Sequence, residues 1–536
     1  MKISILKFCI LFAFYFLFVL NFPLITGYLE IEKLIHIKDY LEFILVLFNI
    51  FLVIFLALYL IFFPYLTKTI LIILLFLSSL SYYAISNYNV DLNNADLLRG
   101  FFSTTFVEAS SFLTLKIFIT FLLTFIIPSI FVISFKIIYP KINHFILQKI
   151  ILCIIIICFS LITLLNHQIY ASFAAQTKTS DMIAKNFIPL NYLHGLKRLI
   201  KTSIKKNNKE NFITYISSRT NLLKNENKKT IFIFILGESA RAKNFSLNGY
   251  SRETNPLLKT QNIFNFNNFY SCGTITNISL PCMFSSYSRK EYSLDKYDNT
   301  ENLLETVAKN DFKVEWYDNG MGSQGVTRNV KETILGDFYS SNYDDVLLKA
   351  LPSKQKLESE KKDLFIVLHQ RGSHGPDYNN RYPKEFQKFL PVCNNVTLKS
   401  CSTESIINSY DNSILYTDYI INYTISYLKE LGNESYQTTM LYTSDHGESL
   451  GEYGLYMHGE PYFVAPVDQK HIPFIIWLSD SMKQRKKLDE KCLKDRLKNS
   501  FSHDNIYHTI LDFLEIKSSS FKSDLSILTN CATSVS

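Results

Sequence analysis

Five apolar runs constrain this 536-residue chain more than any other feature: Ile10 to Ile25, Phe43 to Phe63, Ile70 to Ile85, Ile117 to Phe135 and Ile150 to Leu165. A helix needs about 17–25 such residues to cross the hydrocarbon of a bilayer. The third and fifth runs are short, but Tyr82, Tyr83, Lys149 and Asn166 are residues that settle at the interface and extend a span. A five-helix transmembrane domain is therefore expected over residues 1–166. Lys2 and Lys7 precede the first run as they would in a signal peptide, yet no small-x-small cleavage site follows, so an uncleaved anchor is expected.

Lys and Arg in short loops stay on the cytoplasmic side of a membrane. Lys2, Lys7, Lys68, Lys136, Lys141 and Lys149 fall on one side with no acid beside them, whereas Glu30, Glu32, Asp39, Glu42, Asp91, Asp96 and Glu108 fall on the other with only Lys33, Lys38, Arg99 and Lys116. The amino terminus is thus expected inside, and an odd number of spans places everything after residue 166 outside. Cysteine usage agrees. Of nine Cys, Cys9, Cys153 and Cys158 lie in apolar runs and the other six lie in the exported half, an even number suited to an oxidising compartment. Cys272 with Cys282, and Cys393 with Cys401, are near enough in sequence to close short loops, and Cys492 with Cys531 would be the pairing left by elimination, although spacing does not fix the connectivity. The formal charge of +8 raises the question of nucleic acid, but no basic face coincides with a nucleic-acid motif, and none is expected as a partner.

Residues 167–228 read as a linker with one or two amphipathic helices. Lys197, Arg198, Lys201, Lys205, Lys206 and Lys209 alternate there with Leu196, Leu199, Ile200 and Ile204, a pattern that fits either a solvated face or a helix on anionic headgroups. From residue 229 the texture changes to short β-rich runs between longer helical stretches. Strands are expected at Ile231 to Leu236, Phe312 to Trp316, Leu364 to Leu368, Met440 to Thr443 and Pro473 to Leu478, which makes residues 229–536 an α/β domain with a largely parallel sheet. Four of these strands run directly into polar chemistry: Gly237-Glu238-Ser239, Asp318-Asn319, His369 to His374, and Ser444 to Glu448. Sites in open α/β sheets gather outside the carboxyl ends of the strands, so these groups are expected to meet.

Glu238, Asp445 and His446 offer two carboxylates and an imidazole, a donor set that suits a divalent metal with an open position, zinc best of all. A metal-bound hydroxyl loses its proton far more readily than a free one. The segment Ser271 to Cys282 supplies such hydroxyls, and spacing does not choose among Thr274, Thr276 and Ser279. His374 and His458, each in a Gly- and Pro-containing turn, are placed to bind a second metal, hold a phosphate oxygen or shuttle a proton.

Together these segments resemble the phosphoethanolamine transferases that modify lipid A and related envelope acceptors, including enzymes of polymyxin resistance. The resemblance rests on Gly237-Glu238-Ser239-Ala240-Arg241 with Asn244, on Gly249 to Pro256, Ser271 to Ser285, Gly372 to Pro376 and Ser444 to Gly451, and on His458. It implies an alkaline-phosphatase-like, sulfatase-related domain on five transmembrane helices. It further implies Thr276 as nucleophile and Glu238, Thr276, Asp445 and His446 as ligands of one Zn2+. His374 and His458 match the pair that handles substrate or a second zinc, and Glu448 is the carboxylate for the ethanolamine ammonium. The implied reaction moves phosphoethanolamine from phosphatidylethanolamine to lipid A or another envelope acceptor, by a monomer in the bacterial inner membrane whose catalytic domain is periplasmic. Three departures stand out. The family's lipid-side Asn-Thr-Glu motif appears as Gly100, Thr104 and Glu108. In the substrate-binding stretch with Asn319, Gln324 stands where relatives bring a Lys, and no Cys lies between Cys282 and Cys393. The alternatives on the same fold are a lipoteichoic-acid-synthase-like phosphoglycerol transferase and a sulfate or phosphate ester hydrolase, separable by lipid products.

Overall fold

The computed structural model describes residues 2–22, 25–26, 37–88, 115–165, 187–193, 196–197, 200, 212–220, 228–336, 343–396, 398–432, 436–460, 462–463 and 465–533. Gly100, Thr104, Glu108 and the basic residues Arg198, Lys201, Lys205, Lys206 and Lys209 lie outside them. The chain divides into two compact units, and of the described residues those up to Ile200 belong to the first and those from Phe212 to the second.

The amino-terminal unit is built on apolar helices: α1 (Ile5–Tyr15, prolonged by the π-helical Phe16–Leu20), α2 (Ile37–Ile61), α3 (Thr67–Tyr88), α4 (Leu115–Phe121, continuing through Leu122–Ile126 and Ile127–Ser134) and α5 (Ile142–Leu165). Among the described residues four helices are long and apolar enough to cross a membrane, and Ile5–Leu20 is shorter. Their outward faces carry bare Ile, Leu and Phe, among them Leu123, Ile130, Ile133 and Ile154, the reverse of a water-soluble bundle. Several polar groups inside are paired, as an apolar solvent favours. Asn21 donates through Nδ2 to the carbonyls of Phe16 (2.9 Å) and Ile188 (2.7 Å) and accepts from the Ile188 N–H (2.8 Å), tying the segment after α5 back to α1. Phe187, Ile188 and Tyr192 are buried in the same core.

The carboxy-terminal unit holds an eight-stranded sheet. Its strands are β1 (Lys229–Gly237), β2 (Phe264–Tyr270), β3 (Phe312–Asp318), β4 (Lys331–Ile334), β5 (Asp363–His369), β6 (Tyr436–Ser444), β7 (His471–Leu478) and β8 (Phe501–Ser502). They lie in the order β8-β2-β7-β6-β1-β5-β3-β4. All pairs are parallel except those of β7, which runs against both neighbours. The expected strand at Pro473 to Leu478 is therefore the antiparallel member of a mostly parallel sheet. Its register against β2 shifts between Ile472 and Phe474, at the proline that lacks an N–H for the ladder. The central strands β1 and β6 are buried almost throughout, the pattern of a sheet covered on both faces. One face is packed around Phe232, Phe234, Trp316 and Phe474, the other around Ile233, Ile366, Met440 and the 30-residue helix α7 (Thr403–Gly432). Disulfides join Cys272 to Cys282, Cys393 to Cys401 and Cys492 to Cys531.

Candidate active site

Register builds the site. In the parallel pair β1–β6, Gly237 lies beside Ser444, so Glu238 and Asp445, the next residues of each strand, emerge together at the carboxyl edge. The Asp445 N–H donates to the Gly237 carbonyl (3.0 Å), and Asp445 Oδ1 accepts from the Ser239 N–H (3.1 Å). Ser239 takes the left-handed backbone (φ 57°), which turns the chain sharply after Glu238. Its hydroxyl donates to Glu238 Oε1 (2.8 Å). Beyond the turn Arg241 is buried, its Nε on Asn244 Oδ1 (2.6 Å) and its Nη1 on the Glu448 carbonyl (3.1 Å), so the Gly-Glu-Ser-Ala-Arg stretch locks two strand ends together.

The third contributor is α6 (Thr276–Met283), whose first residue projects into the cluster. Thr276 Oγ1 lies 3.1 Å from Glu238 Oε2 and 3.3 Å from His446 Nε2. The other two hydroxyls left open by spacing are engaged elsewhere. Thr274 Oγ1 donates to the Glu460 carbonyl (2.7 Å), and the Ser279 hydroxyl, fully buried, donates to the Asp445 carbonyl. Thr276, by contrast, is partly exposed.

The electrostatics of the cluster suit a cation. Ligand atoms of Glu238, Asp445 and His446 lie within 4.8 Å of one another, all fully buried. His446 Nδ1 lies 2.9 Å from the Gly447 carbonyl, which only accepts, so the proton sits on Nδ1 and the Nε2 lone pair faces the cluster. Burial keeps that ring below its ordinary pKa, hence neutral. Burial and the facing Asp445 carboxylate drive Glu238 well above the usual carboxylate range. Among the described residues Asp445 Oδ2 receives no hydrogen bond. Two buried carboxylates, one oxygen orphaned, and an imidazole lone pair aimed between them fit a bound zinc.

A second group adjoins the first. The His458 ring is 4.2 Å from that of His446 and 5.4 Å from that of His374. His458 Nδ1 donates to Glu448 Oε2 (2.9 Å), and the Tyr378 hydroxyl donates to Glu448 Oε1 (2.8 Å). Burial, then the neighbouring His458, hold His374 well below its ordinary pKa. Asn319 is buried at the end of β3, its Nδ2 on Asp344 Oδ1 (2.8 Å). Gln324 sits in the following turn with left-handed backbone (φ 50°), its amide 3.4 Å from the Met321 carbonyl.

Sequence reasoning passed over His503 and Tyr378. His503 is buried behind the nucleophile loop, accepting from the Cys272 N–H at Nδ1 (3.1 Å) and donating from Nε2 to the Ser444 carbonyl (3.0 Å). Burial pushes its pKa down to about 4. The one available signal was its place in Ser502-His503-Asp504, a polar turn after a Phe.

Comparison with known proteins converges on one group. The family model described as phosphoethanolamine transferase EptA/EptB matches residues 50–204, and the sulfatase family model matches residues 230–516. The phosphoethanolamine transferase EptA of Salmonella typhimurium is 32% identical over 97% of this chain and 96% of its own length. The chain belongs to the phosphoethanolamine transferase family. The EptA of Escherichia coli is 36% identical over 70% of each chain. The structure is similar to the integral membrane lipooligosaccharide phosphoethanolamine transferase A of Neisseria meningitidis, with a TM-score of 0.92 at 28% identity over 99% of both chains. The resemblance read from the motifs, the sulfatase-like α/β domain and the membrane character are borne out by these matches.

Proposed function

We propose that this transferase moves phosphoethanolamine from phosphatidylethanolamine to a phosphate of lipid A by double displacement through Thr276. The observation that carries the reading is the convergence of Thr276 Oγ1 on Glu238 and His446, in a chain aligned end to end with an EptA. Residues 1–166 would anchor the enzyme in the inner membrane with the amino terminus cytoplasmic, as the distribution of Lys and Arg supports, residues 167–228 would bridge, and residues 229–536 would work in the periplasm.

Glu238, Asp445, His446 and Thr276 would hold one Zn2+, and a bound zinc lowers the pKa of a ligating hydroxyl and offsets charge on phosphoryl oxygens. The protein's own part starts from the position of Thr276 at the amino end of α6, fixed by the Cys272–Cys282 link and by the Ser279 hydroxyl. With the metal held, Glu238 is ionised, and its Oε2, 3.1 Å from Thr276 Oγ1, would accept the Thr276 proton. The Oγ1–phosphorus bond forms as the bond from phosphorus to the glycerol oxygen breaks, releasing diacylglycerol. His458, oriented by Glu448, would supply the one proton that the departing oxygen takes up, and the neutral His374 beside it would hold a phosphoryl oxygen. In the second half an oxygen of the acceptor phosphate attacks the phosphothreonine phosphorus, and Thr276 recovers its proton. Glu448, held between the Tyr378 hydroxyl and His458 Nδ1, would attract the ethanolamine ammonium. A zwitterionic cap on lipid A lowers its negative charge, the basis of weaker polymyxin binding.

The test is tryptic mass spectrometry of the purified full-length chain incubated with phosphatidylethanolamine. A phosphoethanolamine increment on Thr276, absent from Thr276→Ala and retained in Thr274→Ala, is expected. An increment on Thr274 or Ser279, or none with donor consumed, would overturn the assignment.

A further inference from the structure

Arg371 lies in the loop between His369, which ends β5, and His374. Its backbone is pinned on both sides. The N–H groups of Arg371 and Gly372 donate to Asp344 Oδ1 (2.8 Å) and Oδ2 (3.0 Å), and the Ser373 N–H donates to the Glu238 carbonyl (2.9 Å). Gly372 has φ 53°, and a Cβ there would fall 2.6 Å from the Glu238 carbonyl oxygen, so the loop is pressed against the backbone of the cluster.

The side chain spans the neighbouring turn. Arg371 Nε donates to the Asn319 carbonyl (3.2 Å), and a Cβ on Gly320 would meet Arg371 Nη2 at 2.9 Å, so the guanidinium lies on that glycine. Nη2 is buried and donates to nothing among the described residues. Asp344 senses the charge, but its oxygens are occupied by backbone N–H groups and by Asn319 Nδ2. The charge also reaches the site: after burial, His458, Arg381 and His446, Arg371 is among the groups that depress His374.

An unmet guanidinium N–H in a buried position is costly, and the planar fork matches phosphate oxygens. We propose that Arg371 binds a non-bridging oxygen of the acceptor's phosphate, setting the enzyme's preference for a phosphorylated acceptor. The inference rests on the reading of the site as a phosphoethanolamine transferase centre. The transferred phosphoryl group belongs at Thr276, next to His446; Arg371 lies three residues before His374 in the same loop and packs on the Asn319–Gly320 turn, not on Thr276. The donor carries one phosphate only, and this position serves the acceptor.

Equilibrium binding to the full-length chain carrying Thr276→Ala isolates recognition from chemistry. Adding Arg371→Gln should weaken lipid A binding roughly tenfold to a hundredfold, the worth of one charge-assisted hydrogen bond, with phosphatidylethanolamine binding changed far less. Lipid A stripped of phosphate should bind both proteins alike. Arg371→Lys, which keeps the charge without the fork, should fall between, and it separates recognition from a folding defect. Unchanged lipid A affinity, an equal loss for phosphatidylethanolamine, or an equal loss for the dephosphorylated lipid would each overturn the proposal. None of these readouts depends on Thr276 forming an adduct, so failure of the nucleophile assignment would appear separately, in the mass spectrum.

Discussion

Replacing Glu238 by Gln should make the metal-free enzyme more stable and the zinc-loaded enzyme less so. Oxygens of Glu238 and Asp445 lie within 4.8 Å in a fully buried site. At an effective dielectric of about 20, two ionised carboxylates at that distance repel by roughly 3.5 kcal/mol. The pair relieves part of this by keeping a proton on Glu238, whose pKa is raised by burial and by Asp445. A carboxyl with a raised folded pKa binds its proton more tightly folded than unfolded. Its contribution is therefore intact below the unfolded value of about 4.3 and is lost as pH rises toward the folded one. Gln removes that loss while its carbonyl still accepts from Ser239 or Thr276. A gain of about 1–3 kcal/mol, a few degrees in Tm, is expected at pH 7 in chelator, shrinking toward pH 4. With zinc the order reverses, because a ligand that binds only the folded state stabilises by RT ln(1 + [L]/Kd) and the variant has lost a carboxylate donor. Differential scanning fluorimetry of the full-length chain in detergent, with chelator or with zinc, reads both. A variant less stable than wild type in chelator, or one with an undiminished zinc-induced rise in Tm, would refute the reasoning.

His503→Phe should cost about 2–4 kcal/mol, since it leaves the buried Cys272 N–H without its acceptor and removes a donor from the Ser444 carbonyl, while zinc content by mass spectrometry stays at the wild-type value. A drop in zinc with no fall in Tm would place His503 in the metal site instead. Asp418, buried with its oxygens on the Leu257 and Leu258 N–H groups, is pushed up to about 7. Its stabilising contribution is complete below about pH 4 and declines as pH rises through 7. Asp418→Asn should therefore gain stability relative to wild type between pH 5 and pH 8, each step about 1 pH unit apart in a Tm series, and a gap independent of pH would contradict the shift.

Much of this molecule is legible in its sequence, for reasons that differ by element. The apolar runs become α1 to α5 because a stretch that length without charge has few other fates, and α1 merely starts earlier, at Ile5. Strands β1, β3, β5 and β6 fall within a few residues of expectation because they are short, β-branched and bounded by polar turns. The strand β2 was passed over although Phe264, Phe266 and Phe269 point inward, because its Asn residues dilute the apolar signal. The direction of β7 is not written in its composition. Strand ends announced where chemistry would gather, but the adjacency of Glu238 and Asp445 depends on a register that only the assembled sheet defines. The choice among Thr274, Thr276 and Ser279 was closed to spacing for the same reason. It depends on the Glu460 and Asp445 carbonyls, which lie far along the chain and capture two of the three hydroxyls.

The central claim, transfer of phosphoethanolamine to lipid A through Thr276, is tested most directly by the mass spectrum of lipid A from a polymyxin-sensitive Gram-negative host expressing the wild-type chain beside Thr276→Ala. The account predicts a phosphoethanolamine increment in the wild-type sample alone. The same increment from Thr276→Ala, or unmodified lipid A from a host whose inner membrane contains the wild-type protein, would contradict it.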